Sequence, residues 1–116
     1  RGAAAVIVEI DDRCRALRAA GIGNVAAWVV GHEQRRGMVS LPGILGHHAR
    51  RFTDFAVELD APVLVVVHSD GLSDKWSLQR SPGLRSHPPI AIAATLMRDA
   101  GLRHDDASVA VWRIDP

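Results

Sequence analysis

Residues 63–67, Val63-Leu64-Val65-Val66-Val67, are all apolar and mostly β-branched, which reads as a strand buried on both faces. Upstream, residues 3–10 form a β-prone run, Asp11-Asp12 signals a turn, and residues 13–20 alternate imperfectly between Arg and apolar positions. Together these predict a hairpin with one wet face. Gly21-Ile22-Gly23-Asn24 interrupts the pattern before residues 25–30 resume it, as at a bulge or a close backbone approach. A turn over residues 31–37 leads to a short strand at 38–41, then to an ordered loop at 42–48 whose Pro42-Gly43 and Gly46 disfavour a helix. Residues 52–59 alternate as another strand, and Asp60-Ala61-Pro62 turns the chain into the central run.

Beyond that run, residues 73–89 are polar and irregular, with Trp76, Leu78 and Leu84 as the expected anchors. Pro88-Pro89 suits a helix start, and Ile90, Ala93, Ala94 and Met97 recur at i, i+3, i+4, i+7 as its expected buried face. Arg98 falls in the last turn and Gly101 just after it, as a C-cap. Residues 107–112 alternate as a final strand. The order of six strands, a helix and a strand predicts an α+β fold, antiparallel sheets with a helix laid on one face.

The 116 residues suffice for one domain with a core, and 47% apolar with 23% charged residues is an ordinary globular composition. Net charge is +1, and Lys75 is the only lysine among fourteen basic residues. The arginines are scattered, paired only at Arg35-Arg36 and Arg50-Arg51, and aromatic residues are few. Nucleic acid is therefore not an expected partner. No apolar run is long enough to span a bilayer and no signal-peptide layout opens the chain, so no membrane association is expected and the cytoplasm is the expected compartment. A single cysteine, Cys14, excludes an intrachain disulfide and is expected as a small hydrophobe in a strand.

The candidate chemistry lies at strand ends. Residues 63–67 run straight into His68-Ser69-Asp70-Gly71, so a carboxylate stands at the mouth of a core strand and Gly71 lets the backbone turn away, with positive φ as one way of doing so. An Asp-Gly pair is also a common turn former. Asp105-Asp106 stands immediately before the last strand, and surface turn capping is its alternative role. If the strand ending at His68 pairs antiparallel with the one starting at Ala107, Asp70 and Asp105 or Asp106 converge on one edge. Carboxylates brought that close repel by about 4 kcal/mol at ~4 Å and an effective dielectric of ~20, and hard oxygen ligands of this kind favour Mg²⁺ or Mn²⁺ over Zn²⁺. His47 and His48, adjacent in a loop with no third ligand at a regular spacing, read as exposed histidines rather than zinc ligands. The glycines at 21 and 23 lack the following helix of a phosphate-binding loop. Ser69 beside His68 lacks a Gly-x-Ser-x-Gly elbow, and neighbours on a strand point to opposite faces, which disfavours a serine hydrolase.

Four motifs carry a family resemblance: Ala20-Gly21-Ile22-Gly23-Asn24, Leu41-Pro42-Gly43-Ile44-Leu45-Gly46, His68-Ser69-Asp70-Gly71-Leu72 and His104-Asp105-Asp106-Ala107-Ser108-Val109. In this order, with a helix between the last two, they span nearly the whole chain. The chain resembles the C-terminal half of metal-dependent serine/threonine phosphatases of the phosphatase 2C type, in the bacterial branch that includes the stage II sporulation phosphatase. The resemblance implies an antiparallel β-sandwich flanked by helices and a two-metal Mn²⁺ or Mg²⁺ site. In that site a metal-bound water, rather than a side chain, attacks a phosphoserine or phosphothreonine. It also implies metal-ligand roles for Asp70 and Asp105, an orienting role for Asp106, and structural roles near the site for Gly23, Asn24 and Gly71.

The same family carries an Asp-Gly pair in its N-terminal half, whose aspartate bridges both metals. Upstream of Gly21 this chain has only Asp11-Asp12, in a different context. Residues 1–116 are accordingly expected to be the C-terminal part of such a domain, with an incomplete metal site and an uncovered apolar face. The implied partner is a phosphorylated regulatory protein, such as an anti-sigma-factor antagonist. The alternative is a catalytically incomplete phosphatase-like module that binds a partner protein.

Overall fold

The fold is that of a computed structural model, which describes residues 4–11, 13, 15–39, 53–59, 62–103 and 106–115. Seven strands are described: β1 (Ala5–Asp11), β2 (Ala16–Ile22), β3 (Val25–Val30), β4 (Arg35–Val39), β5 (Thr53–Glu58), β6 (Val63–Ser69) and β7 (Val109–Ile114). One helix, α1 (Pro89–Ala100), lies between β6 and β7. The strands form two antiparallel sheets, β1-β2-β5 and β4-β3-β6-β7.

Strand alternation divides the apolar residues between two cores. Leu17, Ala19, Ala27, Val29, Val57, Leu59, Val63 and Val65 fill the space between the sheets, joined by Val6, Val8, Ile10, Phe55 and Val67. Val30, Leu64, Val66, Leu72, Trp76, Ile92, Leu96 and Ala100 form a second core between the other face of the four-stranded sheet and α1. The central strand β6 contributes to both, Val63, Val65 and Val67 to the first and Leu64 and Val66 to the second. That explains its unbroken apolar run. The α+β class, the antiparallel sandwich and the helix on one face agree with the sequence expectation.

Several local expectations are corrected. Strand β2 continues through Gly21 and Ile22, which pair with Val6 and Ala5, so the chain breaks only at Gly23-Asn24. There it leaves one sheet and enters the other, and Gly23 adopts the left-handed φ of 84° that this corner requires. The turn before β4 is shorter than expected because Arg35, Arg36 and Gly37 already pair with Val30, Val29 and Trp28.

The helix keeps its expected limits, with Pro88 preceding it and the Gly101 N–H donating to the Met97 carbonyl (3.1 Å). Its buried face is Ile92, Ala93, Leu96 and Ala100, whereas Ile90 is 78% exposed. The i, i+4, i+8 series at 92, 96 and 100 carries the larger apolar contact with the sheet; of the expected face, Ala93 is buried and Met97 packs half-buried on the second core, while Ile90 and Ala94 are exposed. The segment between β6 and α1 holds two short 3₁₀ turns, Leu78–Arg80 and Leu84–Ser86, with Trp76 buried and Leu78 and Leu84 packed on the second core as expected. Ile7, Ile90, Leu102 and Trp112 stand exposed among the described residues. No helix among them is long and apolar enough to cross a membrane.

The helix face is open to a direct comparison. Ile92 is fully buried, so Ile92→Ala is expected to lower unfolding free energy by about 2–5 kcal/mol in urea titration, whereas Ile90→Ala changes it by no more than about 0.5 kcal/mol.

Candidate metal centre

β6 is the inner strand between β3 and β7, so both its edges are hydrogen-bonded and its end is fixed in place. Its pairing with β7 runs from Val63 opposite Ile114 to His68 opposite Val109. The next pair, Ser69 and Ser108, is bonded differently. The Ser69 N–H donates to the Ser108 carbonyl (3.0 Å), but the Ser108 N–H donates to the Ser69 hydroxyl oxygen (3.0 Å). The Ser69 carbonyl instead accepts the Leu72 N–H (3.2 Å), closing a β-turn with Asp70 and Gly71 at its centre, and accepts the His68 Nδ1–H (2.9 Å).

Asp70 is exposed at this turn, so the turn and the mounted carboxylate are the same object. Gly71 is required there for a reason other than the positive φ considered above, since its φ is not left-handed. A Cβ on residue 71 would stand 2.8 Å from the Ala107 Cα and would overlap the Asp106 carbonyl. The turn is therefore packed directly against the backbone leading into β7. On its other side, the Leu102 N–H donates to the Gly71 carbonyl (2.8 Å) and the Ser73 N–H to the Ala100 carbonyl (2.8 Å), which ties the turn to the end of α1.

The two acidic strand ends thus share one edge, as the antiparallel pairing requires. Asp70 and Asp106 are both exposed, on backbones in contact. Asp105 lies outside the described residues, as do Cys14 and the 42–48 loop with His47 and His48. Among the described residues no three His, Cys, Asp or Glu side chains converge as a complete cation site. Asp70 and Asp106 offer carboxylate oxygens at this edge, a donor type that suits a hard divalent cation. A depression of about 260 Å³ beside Asp70 is lined also by Asn24, Ser69, Ser73 and Asp74, which brings the Gly23-Asn24 corner to the same edge. A larger recess of about 630 Å³ lies at the other end of β7, between Arg15, Leu59 and Ile114, and is lined by neither Asp70 nor Asp106.

Behind the turn sits a buried polar cluster that the sequence did not disclose. His68 is 4% exposed, and its Nε2 accepts the indole N–H of both Trp28 (3.1 Å) and Trp76 (3.2 Å). With Nδ1 donating to the Ser69 carbonyl, the ring proton is assigned to Nδ1. Neither ring nitrogen is directed at the Ser69 hydroxyl, which removes the His68–Ser69 hydrolase reading.

The Arg35 guanidinium lies between the two indoles, 4.2 Å from the Trp28 ring centroid and 4.3 Å from that of Trp76, and donates to the Asp74 carbonyl. Burial lowers its pKa from the ordinary value, and the Asp74 charge partly offsets this. The participants come from β3, β4, β6 and the following segment, four places that no local spacing connects. Asp74, four residues after Asp70, is the acidic neighbour that sequence reasoning missed.

Because the residue 71 position has no room for a side chain, Gly71→Ala is expected to cost about 1–3 kcal/mol in urea unfolding. An unchanged midpoint would mean that the backbone at residues 106–107 does not pack on the turn.

No protein-family model matches this chain, and no curated protein matches it. Among solved structures it is similar to one from the bacterial stressosome, a modular system adapted to control secondary messenger signaling, at 22% identity and a TM-score of 0.80, covering 95% of this chain and 58% of that one. It is also similar to the phosphatase domain of the cell fate determinant SpoIIE from Bacillus subtilis, at 25% identity and a TM-score of 0.73, covering 97% of this chain and 56% of that one. A third is RsbX in complex with magnesium, at 23% identity and a TM-score of 0.67, covering 96% and 55%. The chain spans a little over half the length of each of these structures. The antiparallel sandwich and its helix are those of a phosphatase 2C-like fold.

Proposed function

We propose that this chain is the C-terminal part of a phosphatase 2C-like domain that carries out metal-dependent hydrolysis of phosphoserine or phosphothreonine on a regulatory protein, in the cytoplasm. The observation that carries the reading is the contact between the Asp70-Gly71 turn and the Asp106-Ala107 backbone, on a fold shared with the SpoIIE phosphatase domain. Asp70 and Asp105 are the proposed ligands of a Mn²⁺ or Mg²⁺ ion, and Asp106 is the proposed orienting carboxylate. A divalent ion bound there supplies the activation of water and the neutralisation of phosphoryl oxygens that phosphoester hydrolysis needs.

The chain's own residues contribute placement. The inner strand β6 fixes the start of the turn, the contact at Gly71 sets its distance from the acidic segment before β7, and the left-handed Gly23 brings Asn24 to the same edge. Fixing donors on hydrogen-bonded strand ends lowers the reorganisation that binding a cation demands. The proposed partner, a phosphorylated regulatory protein such as an anti-sigma-factor antagonist, rests on the family resemblance and on the stressosome neighbour.

The test is turnover of p-nitrophenyl phosphate by the full-length protein with and without Mn²⁺. Activity is expected to vanish on chelation, to return with Mn²⁺, and to be abolished by Asp70→Asn with the far-ultraviolet circular dichroism unchanged. Turnover with the same Mn²⁺ dependence in Asp70→Asn would overturn the assignment. A protein that captures its phosphorylated partner with no turnover under any metal would instead be a binding module.

A further inference from the structure

The last rung between β6 and β7 is made by a side chain. Continuing the ladder by main chain alone would have Ser69 and Ser108 exchange two backbone bonds, as hydrogen-bonded antiparallel pairs do. Only one is made, from the Ser69 N–H to the Ser108 carbonyl. The Ser69 carbonyl is already used by the Leu72 N–H of the turn and by His68 Nδ1, so the Ser69 hydroxyl takes its place as acceptor for the Ser108 N–H. The serine lets the strand do two things at one residue, beginning the Asp70-Gly71 turn and still holding the partner strand.

We propose that Ser69 is a positioning residue for the divalent cation, its hydroxyl holding the segment at residues 106–108 against the Asp70 turn so that carboxylates from the two strand ends meet one ion. This rests on the metal-phosphatase reading above. Alanine or valine at 69 would leave the Ser108 N–H without its acceptor and release the segment at the point where Asp106 enters it. Threonine keeps an oxygen at the same branch position, whereas valine has nearly the same shape without it.

The experiment compares Ser69→Thr with Ser69→Val in the full-length protein, with Ser69→Ala as a smaller second probe of the lost hydroxyl. Amide hydrogen exchange at Ser108, measured without metal, reads the bracket, and Mn²⁺ titration followed by electron paramagnetic resonance reads the ion. Ser69→Thr is expected to match the wild type in both. Ser69→Val and Ser69→Ala are expected to exchange faster at Ser108 and to bind Mn²⁺ about tenfold more weakly or worse, with exchange in the β3 and β6 core unchanged. A purely structural serine would move core exchange and leave Mn²⁺ affinity alone, and that result overturns the proposal. So does unchanged exchange at Ser108. If the wild type binds no Mn²⁺ while the exchange contrast persists, the metal reading fails and the cation role of Ser69 falls with it, though the bracket stands.

Discussion

The placement of the acidic edge depends on β6 remaining paired with β7 to its last residue. A carboxylate following a strand is held only as firmly as the strand's final hydrogen bonds, because one unpaired residue adds two free backbone dihedrals between the sheet and the side chain. β6 meets this condition from both sides, with β3 paired as far as Val25 opposite Ser69 and β7 paired as far as Val109, extended by the bonds to Ser108. The turn then starts without an intervening free residue. Its exposure and its rigidity are compatible because the residues immediately before it are buried and hydrogen-bonded while Asp70 itself faces solvent.

Much of this architecture is legible in the sequence because burial leaves a period. The run from Val63 to Val67 is apolar throughout because its alternate residues enter two different cores. Helix α1 was bounded by Pro88-Pro89 and Gly101 for local reasons, so its limits were readable. Its buried face was readable only in part, at Ala93 and Met97, since apolar residues occupy nearly every position and only the sheet's position selects Ile92 and Leu96 over Ile90. The same limit applies to Gly71. A glycine after Asp suggests a turn by local rules, but the packing of residues 106 and 107 on it is a contact between segments 35 residues apart, which no local pattern encodes. The convergence of the two acidic strand ends could be stated only conditionally until the pairing of β6 with β7 was known.

The polar cluster around His68 shows how the second core accommodates a histidine at a position its neighbours fill with Leu64 and Val66. A buried imidazole with unmet hydrogen bonds would be costly, on the order of 1–3 kcal/mol for each unsatisfied group. Here the two indoles supply donors to Nε2 and the Ser69 carbonyl accepts from Nδ1. The arrangement uses aromatic residues for their polar edges as well as their area. It also explains why two of the three tryptophans meet at one place and why a cation fits between them: each ring offers its π face to Arg35 while its N–H is turned to His68.

That cluster in turn accounts for a segment of 16 residues, 73–88, crossing the sheet face with only two 3₁₀ turns of regular structure. Trp76 pins it near its start through His68, and Arg35 binds the Asp74 carbonyl. Further along, Gln79 donates to the Glu33 carbonyl (3.1 Å), and Arg85 donates to the carbonyls of Gly31 (2.8 Å), Val30 (3.1 Å) and Pro62 (3.2 Å). Carbonyls at the end of β3, in the turn to β4 and just before β6 thereby receive side-chain donors, charge-assisted where Arg85 supplies them. A segment held by such contacts along its length is fixed over the second core and kept beside the acidic turn rather than across it. The exposure of Asp70 therefore follows from the anchoring of residues far from it in sequence, Val30 and Gly31 included, as much as from the turn in which it sits.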